Sequence, residues 1–212
     1  MRRPVPDRSA GFTLIELLVV LGILALVMVL GIPALQNLII RSRSEGFARE
    51  ASTLLQRTRL EAIKVNRPAV VHLDTVNRQM RAFVDVDGDF SFNPDPGEPP
   101  RTTDYPIARV LLPGNVEFQN PDGLENQDSV KDFTPVAVGE PDARGAYFRP
   151  DGSVDVAGAF RICDVRENCL EIRVDPPATG RVQVLKWHEP EEEWFGTVDP
   201  SDPAGYRPWR WN

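Results

Sequence analysis

The sequence predicts an α+β protein: a long N-terminal helix, transmembrane in its first half and amphipathic in its second, packed on an antiparallel β-sheet head. Three observations predict it. From Phe12 to Leu35 the 212-residue chain is almost wholly apolar. Apolar side chains then recur at helical spacing as far as Val65, with no proline between Gln36 and Val65. Beyond Pro68, short β-branched and aromatic runs alternate with Pro, Gly, Asn and Asp clusters. A long helix followed by a run of strands is the α+β order.

The first element begins with a basic segment, Met1 to Ala10, carrying Arg2, Arg3 and Arg8 against Asp7. A secretory signal has an apolar core of about 7–15 residues and then a small-residue cleavage site. Here the apolar run is longer and no A-x-A-like site follows it. Leu17 to Leu35 is uncharged, close to the roughly 20 residues that span a bilayer as a helix. Glu16 interrupts the run. A charge at a helix centre in lipid costs roughly 2.5–3.5 kcal/mol on insertion scales, and less near an end. A plain anchor with a carboxylate snorkelling to the headgroups is one reading. The other gives Glu16 a partner.

Gly11-Phe12-Thr13-Leu14-Ile15-Glu16-Leu17-Leu18-Val19-Val20 resembles the class III signal of type IV pilins and type II secretion pseudopilins. The resemblance covers Gly11 to about Pro33. It implies that residues 1–11 are a leader, cut by a prepilin peptidase between Gly11 and Phe12 on the cytoplasmic side, and that Phe12 is then N-methylated. It also implies that Glu16 meets the terminal ammonium of a neighbouring subunit as a filament assembles. Pairing a carboxylate in a low-dielectric setting removes much of the cost of its burial and sets register more than net stability. The implied partners are the peptidase, other pilins or pseudopilins, the inner membrane and secreted cargo. The implied place is the bacterial inner membrane, N-terminus cytoplasmic and head periplasmic, and then a filament.

Residues 12–35 form the membrane half of the helix and residues 36–66 its continuation into the head. Phe47, Ala51, Leu54, Leu55, Thr58, Ala62 and Val65 fall near a 3.6-residue period, with Arg49, Glu50, Arg57, Arg59 and Glu61 mostly elsewhere. As one helix, Phe12 to Val65 would be about 80 Å long. Pro33 removes a backbone hydrogen bond and crowds the preceding turn, so a kink is expected there.

Residues 67–188 read as a β-rich domain. Ala69 to Leu73 and Gln79 to Val84 form a hairpin around Asp74-Thr75-Val76-Asn77. Ile107 to Leu112 is a third strand, which Val116 to Phe118 continue. Tyr147 to Arg149 and Ser153 to Val156 flank a Pro150-Asp151-Gly152 turn. Phe160 to Val165, Cys169 to Val174 and Arg181 to Trp187 complete the run. Pro68-Ala69-Val70-Val71, Phe148-Arg149-Pro150-Asp151-Gly152 and Gly180-Arg181-Val182 resemble the GspH/FimT branch of minor pilins and pseudopilins. Residues 91–104 and 119–144, rich in Pro and Gly, read as long surface loops.

Few residues suggest chemistry. Asp85, Asp87 and Asp89 alternate around Gly88 and could converge on a hard cation such as Ca²⁺. The spacing departs from the EF-hand pattern, and a turn-forming polar loop explains it as well. Cys163 and Cys169, the only two cysteines, bracket a short loop. They either form a disulfide, contributing roughly 2 kcal/mol for so short a loop, or stay reduced in the core. His72 and His188 lack metal-site spacing to them. No nucleotide loop, nucleophile elbow or zinc helix is present, so no enzyme and no cofactor is expected.

The tail, residues 189–212, combines Glu189, Glu191, Glu192 and Glu193 with Trp194, Phe195 and a final Tyr206-Arg207-Pro208-Trp209-Arg210-Trp211. It either covers an open sheet face or offers stacking groups to a partner. The formal charge is −7. Loss of residues 1–11 would make it −9, which argues against a generally basic nucleic-acid surface. The functions in view are a type II secretion minor pseudopilin, a FimT-like type IV minor pilin for pilus assembly or DNA uptake through Arg207 and Arg210, and a periplasmic domain held by a simple anchor.

Overall fold

The computed structural model describes residues 13–95, 102–121, 130–136, 144–188 and 193–195, without the side-chain surroundings of residues 30, 31, 33, 34, 131, 188, 193 and 195. A single α-helix, α1, spans Leu14–Val65, and its backbone stays helical through Gly22, Gly31 and Pro33. The chain divides into two compact units, Met1–Ile39 and Ile40–Asn212.

In the first unit the described large apolar side chains are exposed. Leu17, Leu18, Val19, Val20 and Leu21 are each between 48% and 58% exposed. Five consecutive residues at 100° per residue sweep the whole circumference, so the helix is apolar on every side. Such a helix needs a lipid or protein environment to cover it. Among the described residues no helix is long and apolar enough to cross a membrane.

In the second unit, one face of α1 is buried at steps of three and four: Ser44, Phe47, Ala48, Ala51, Leu54, Leu55, Thr58 and Ala62. The face expected from the 3.6-residue period is the face in the core, with Val65 half-buried against it. Arg49, Glu50 and Arg57 stay exposed. The buried Thr58 hydroxyl donates to the Leu54 carbonyl at 2.7 Å, so it brings no unmet polar group inside.

Eleven strands follow among the described residues: β1 (Ala69–Asp74), β2 (Gln79–Val84), β3 (Tyr105–Leu111), β4 (Val116–Glu117), β5 (Val130–Lys131), β6 (Thr134–Pro135), β7 (Arg144–Phe148), β8 (Gly158–Asp164), β9 (Cys169–Val174), β10 (Val182–His188) and β11 (Glu193–Phe195). They make two antiparallel sheets. One has the order β3-β2-β1-β7-β6; the other is β11-β10-β9-β8-β4, with β5 also on β8. Alternation sorts each strand. Val71, Met80, Ala82, Phe148, Phe160, Ile162, Leu170 and Ile172 share one core with the helix face. Residues of opposite parity form smaller clusters. Val70, Phe83, Val136 and Tyr147 form one, and Cys163, Cys169 and Trp187 the other.

The β1–β2 turn follows from its residues. Asp74 Oδ1 accepts the Asn77 backbone N–H at 2.9 Å, and Arg78 takes a positive φ of 51°. Two expectations fail. Val116 to Phe118 do not continue the third strand: β4 pairs with β8 in the other sheet, Val116 opposite Asp164. Pro113 has no N–H for a ladder, and its carbonyl accepts from Val116 in a tight turn. Ser153 to Val156 form no strand, only a single bridge from Val154 to Phe148. The Val154 N–H goes instead to the Pro177 carbonyl at 2.8 Å.

Candidate functional site

The N-terminal signal enters the structure at Thr13; Gly11 and Phe12 lie outside the described residues. Thr13 Oγ1 accepts the Glu16 backbone N–H at 3.3 Å, and Glu16 Oε2 accepts the Thr13 backbone N–H at 3.4 Å. This reciprocal pair is a capping box, Thr-x-x-Glu, which satisfies donors the helix cannot bond internally. It also puts the carboxylate in the first turn, where the helix dipole favours a negative charge. Sequence reasoning gave Glu16 a partner on another subunit and overlooked this local one, although the four-residue signature is legible in the chain. Both Thr13 and Glu16 are exposed, so the carboxylate is also open to an outside cation.

The acidic loop gathers. Asp85, Asp87, Asp89 and Asp104 each place a carboxylate oxygen within 4.8 Å of the others. Asp104, just before β3, was not anticipated, because it is far from the alternating run in sequence. Backbone donors already engage these carboxylates. Asp85 accepts from Gly88 at 2.8 Å and Phe90 at 3.0 Å. Asp104 accepts from Val86 at 2.8 Å and Asn93 at 3.0 Å, and Asp89 accepts from Ser91 at 2.8 Å. Burial first, and the Asp104 charge after it, pushes the Asp85 carboxyl up to about 6. The contacts are those of a turn-forming loop. Titration of the full chain with millimolar Ca²⁺ in a calorimeter separates the two readings, since the turn reading expects no heat.

On the outer face of the second sheet, Cys163 and Cys169 are direct cross-strand partners, joined as a disulfide with Cα atoms 4.0 Å apart. Trp187 packs beside them, opposite Trp194 of β11, with ring centroids 5.1 Å apart. Next along the ladder, the fully buried Glu171 accepts from Arg161 at 2.8 Å and Arg173 at 2.6 Å. Both its oxygens are thereby paired, as a buried carboxylate requires. Arg161 also lies 5.4 Å from the Trp194 ring centroid. The described part of the tail is β11, which extends the sheet beside β10, so Trp194 is a cross-strand neighbour of Trp187. Arg207 and Arg210, on which DNA binding was to rest, lie outside the described residues.

One comparison with known proteins bears on the N-terminus. The family model for the prokaryotic N-terminal methylation motif matches residues 6–32. That segment is the one in which the chain resembles type IV pilins and pseudopilins. No curated protein matches it. Among solved structures, the minor pseudopilin EpsH from the Type 2 Secretion System of Vibrio cholerae is similar at 12% identity and a TM-score of 0.44, over 68% of this chain and 97% of that one.

Proposed function

We propose that the chain is a GspH-like minor pseudopilin of the type II secretion system. It is a filament subunit that waits in the inner membrane, N-terminus cytoplasmic and head periplasmic. The observation that carries the reading is the methylation motif over residues 6–32, leading into a helix whose apolar side chains are exposed on every side. That surface is unfavourable in water. Lipid covers it before assembly and the helices of neighbouring subunits cover it afterwards.

Prepilin peptidase cuts between Gly11 and Phe12, and Phe12 is methylated on its new amino group. The Glu16 carboxylate accepts the ammonium of an adjoining subunit and fixes the stagger between helices. Pro33 loosens the helix where it packs in the filament. The Cys163–Cys169 bridge holds the β8–β9 hairpin in the oxidising periplasm. Mass spectrometry of the natively produced protein tests the first step. The expected mass is that of a chain starting at Phe12 with one added methyl group. A chain still carrying Met1 to Gly11 in cells with an active peptidase overturns the proposal. Deleting the gene distinguishes the machineries: lost protein secretion with intact pili is expected, and the reverse would make it a FimT-like minor pilin.

A further inference from the structure

We propose that the outer face of the five-stranded sheet, at its β3 edge, binds an acidic peptide segment of a partner protein. The proposal does not depend on the filament reading. A cleft of about 550 Å³ opens there, lined by His72, Gln79, Arg81, Phe83, Phe92 and Arg109 among others.

The sheet register puts two cations and an imidazole together. His72 lies opposite Arg81, and Arg81 opposite Arg109, so β1, β2 and β3 carry the three in one cross-strand row. Like charges directly opposite one another are unfavourable unless an anion lies between them. The carboxylate nearest Arg81 is Asp74, at 3.8 Å. Asp74 is already engaged: it accepts from the Asn77 amide at 2.9 Å and from Gln79 Nε2 at 2.7 Å. Among the described residues no carboxylate pairs with Arg109. The molecule is acidic overall, yet here it sets two arginines directly opposite each other in the ladder.

The adjacent groups ask for donors. The ionised Asp74 can only accept, so its bond to Gln79 Nε2 fixes the orientation of that amide. Gln79 Oε1 is left buried with no donor, on a residue only 5% exposed. Buried polar atoms of this kind are rare and call for an explanation. His72 Nδ1 stands 3.1 Å from the Leu73 carbonyl. A carbonyl cannot donate, so Nδ1 carries the hydrogen and Nε2 presents a lone pair. Burial, with Arg81 beside it, holds this imidazole below its ordinary value and keeps it neutral.

The occupant must therefore bring negative charge and N–H donors together. A peptide with Glu or Asp side chains brings both. A simple inorganic anion brings charge alone. Nucleic acid fits less well. The Phe92 ring is not free for base stacking, because Arg81 lies 5.4 Å from its centroid. Moreover, among the described residues β3 is the terminal strand of its sheet, and such a backbone edge can pair with an extended peptide.

The test uses the full chain in detergent micelles and the fluorescence anisotropy of a labelled peptide of alternating Gly and Glu. Saturable binding is expected. Arg109→Gln should weaken it roughly tenfold, and so should exchanging the peptide's Glu for Gln. Arg166→Gln, in the β8–β9 loop, should leave it unchanged. Arg109 is exposed on an edge strand, so its variant tests binding without threatening the fold; Arg81→Gln, where it folds, should behave alike. No saturable binding, or equal binding by the Arg109→Gln chain or by the Gln peptide, overturns the proposal. Displacement by an equal concentration of inorganic phosphate would make the cleft a simple anion site. Tighter binding of a labelled oligothymidylate would make it a nucleic-acid site. Either result also overturns it.

Discussion

Glu16 can serve two partners, and substitutions separate them. Within the chain it closes a capping box with Thr13; in the proposed filament its charge accepts a neighbour's ammonium. Gln serves a capping box as well as Glu does, but carries no charge. If the charge sets register, Glu16→Gln and Glu16→Ala should both insert, be cleaved and fail to co-purify with the filament. Thr13→Ala, which costs the helix about 1 kcal/mol of capping, should still co-purify. The opposite pattern, with Gln tolerated and Thr13→Ala excluded, would make the residue a helix cap only. Asp85 is a second residue whose charge state can be read. Its carboxyl is raised from 3.8 to about 6 in the folded chain. Between those values the folded state holds more protons than the unfolded state, so this group makes stability fall as pH rises, and its full cost is present above about pH 6. Asp85→Asn removes the charge and keeps one acceptor oxygen. Relative to the natural chain, the variant should gain on the order of 2 kcal/mol between about pH 4 and about pH 7. Urea unfolding at both pH values checks this, and an equal difference at the two would contradict it.

Elements whose signal is periodic were legible in the chain, and those made by tertiary contact were not. The buried face of α1 follows its 3.6-residue spacing, and β1, β2 and β9 follow short β-branched or alternating runs closed by turn residues. β5, β6 and β11 are two or three residues each. They exist because a neighbouring strand offers an edge, which no local pattern encodes. The same holds for Asp104 and for the His72–Arg81–Arg109 row, which only the sheet register brings together. The Pro150-Asp151-Gly152 turn was visible, but its reason was not. Gly152 takes a φ of +82°, and a Cβ there would stand 2.8 Å from Ile63 Cδ1 and 3.2 Å from Arg59 Nε. That same Arg59 donates to the Gly152 carbonyl at 2.8 Å, so the turn is seated on the helix. Gly152→Ala should therefore cost more than left-handed strain alone, about 2–4 kcal/mol in all. Gly88, with a φ of +78° and nothing nearer than 4.0 Å to such a Cβ, supplies the comparison. Gly88→Ala should lose only about 1–2 kcal/mol. Denaturant unfolding of both variants checks the order, and an equal loss would mean that the contact with Arg59 and Ile63 adds nothing.

At the scale of the whole molecule, apolar surface is divided unevenly between the two units. Residues such as Leu14, Leu26, Val29 and Leu38 are more than half exposed, all before Ile40. The unit from Ile40 onward keeps Phe47, Leu55, Phe83, Phe133, Phe148 and Phe160 inside and has its own buried core of helix face and two sheets. Hydrophobic burial is the main favourable term in folding, and a domain with its own core can fold alone. The helix segment before Ile40 shares no residue with that core, so its demand for a membrane or a filament should be separable from the stability of the head. A chain beginning at Ile40 should be soluble without detergent, monomeric in sedimentation, and unfold in one cooperative transition. It should also keep the acidic-peptide cleft, whose lining residues all follow Ile40. The full chain under the same conditions should require detergent or lipid. Adding Met1–Ile39 should change where the protein resides and leave the unfolding midpoint of the head within about 0.5 kcal/mol. A chain from Ile40 that aggregates, or that unfolds without cooperativity, would show that the apolar segment supports the head as well as anchoring it.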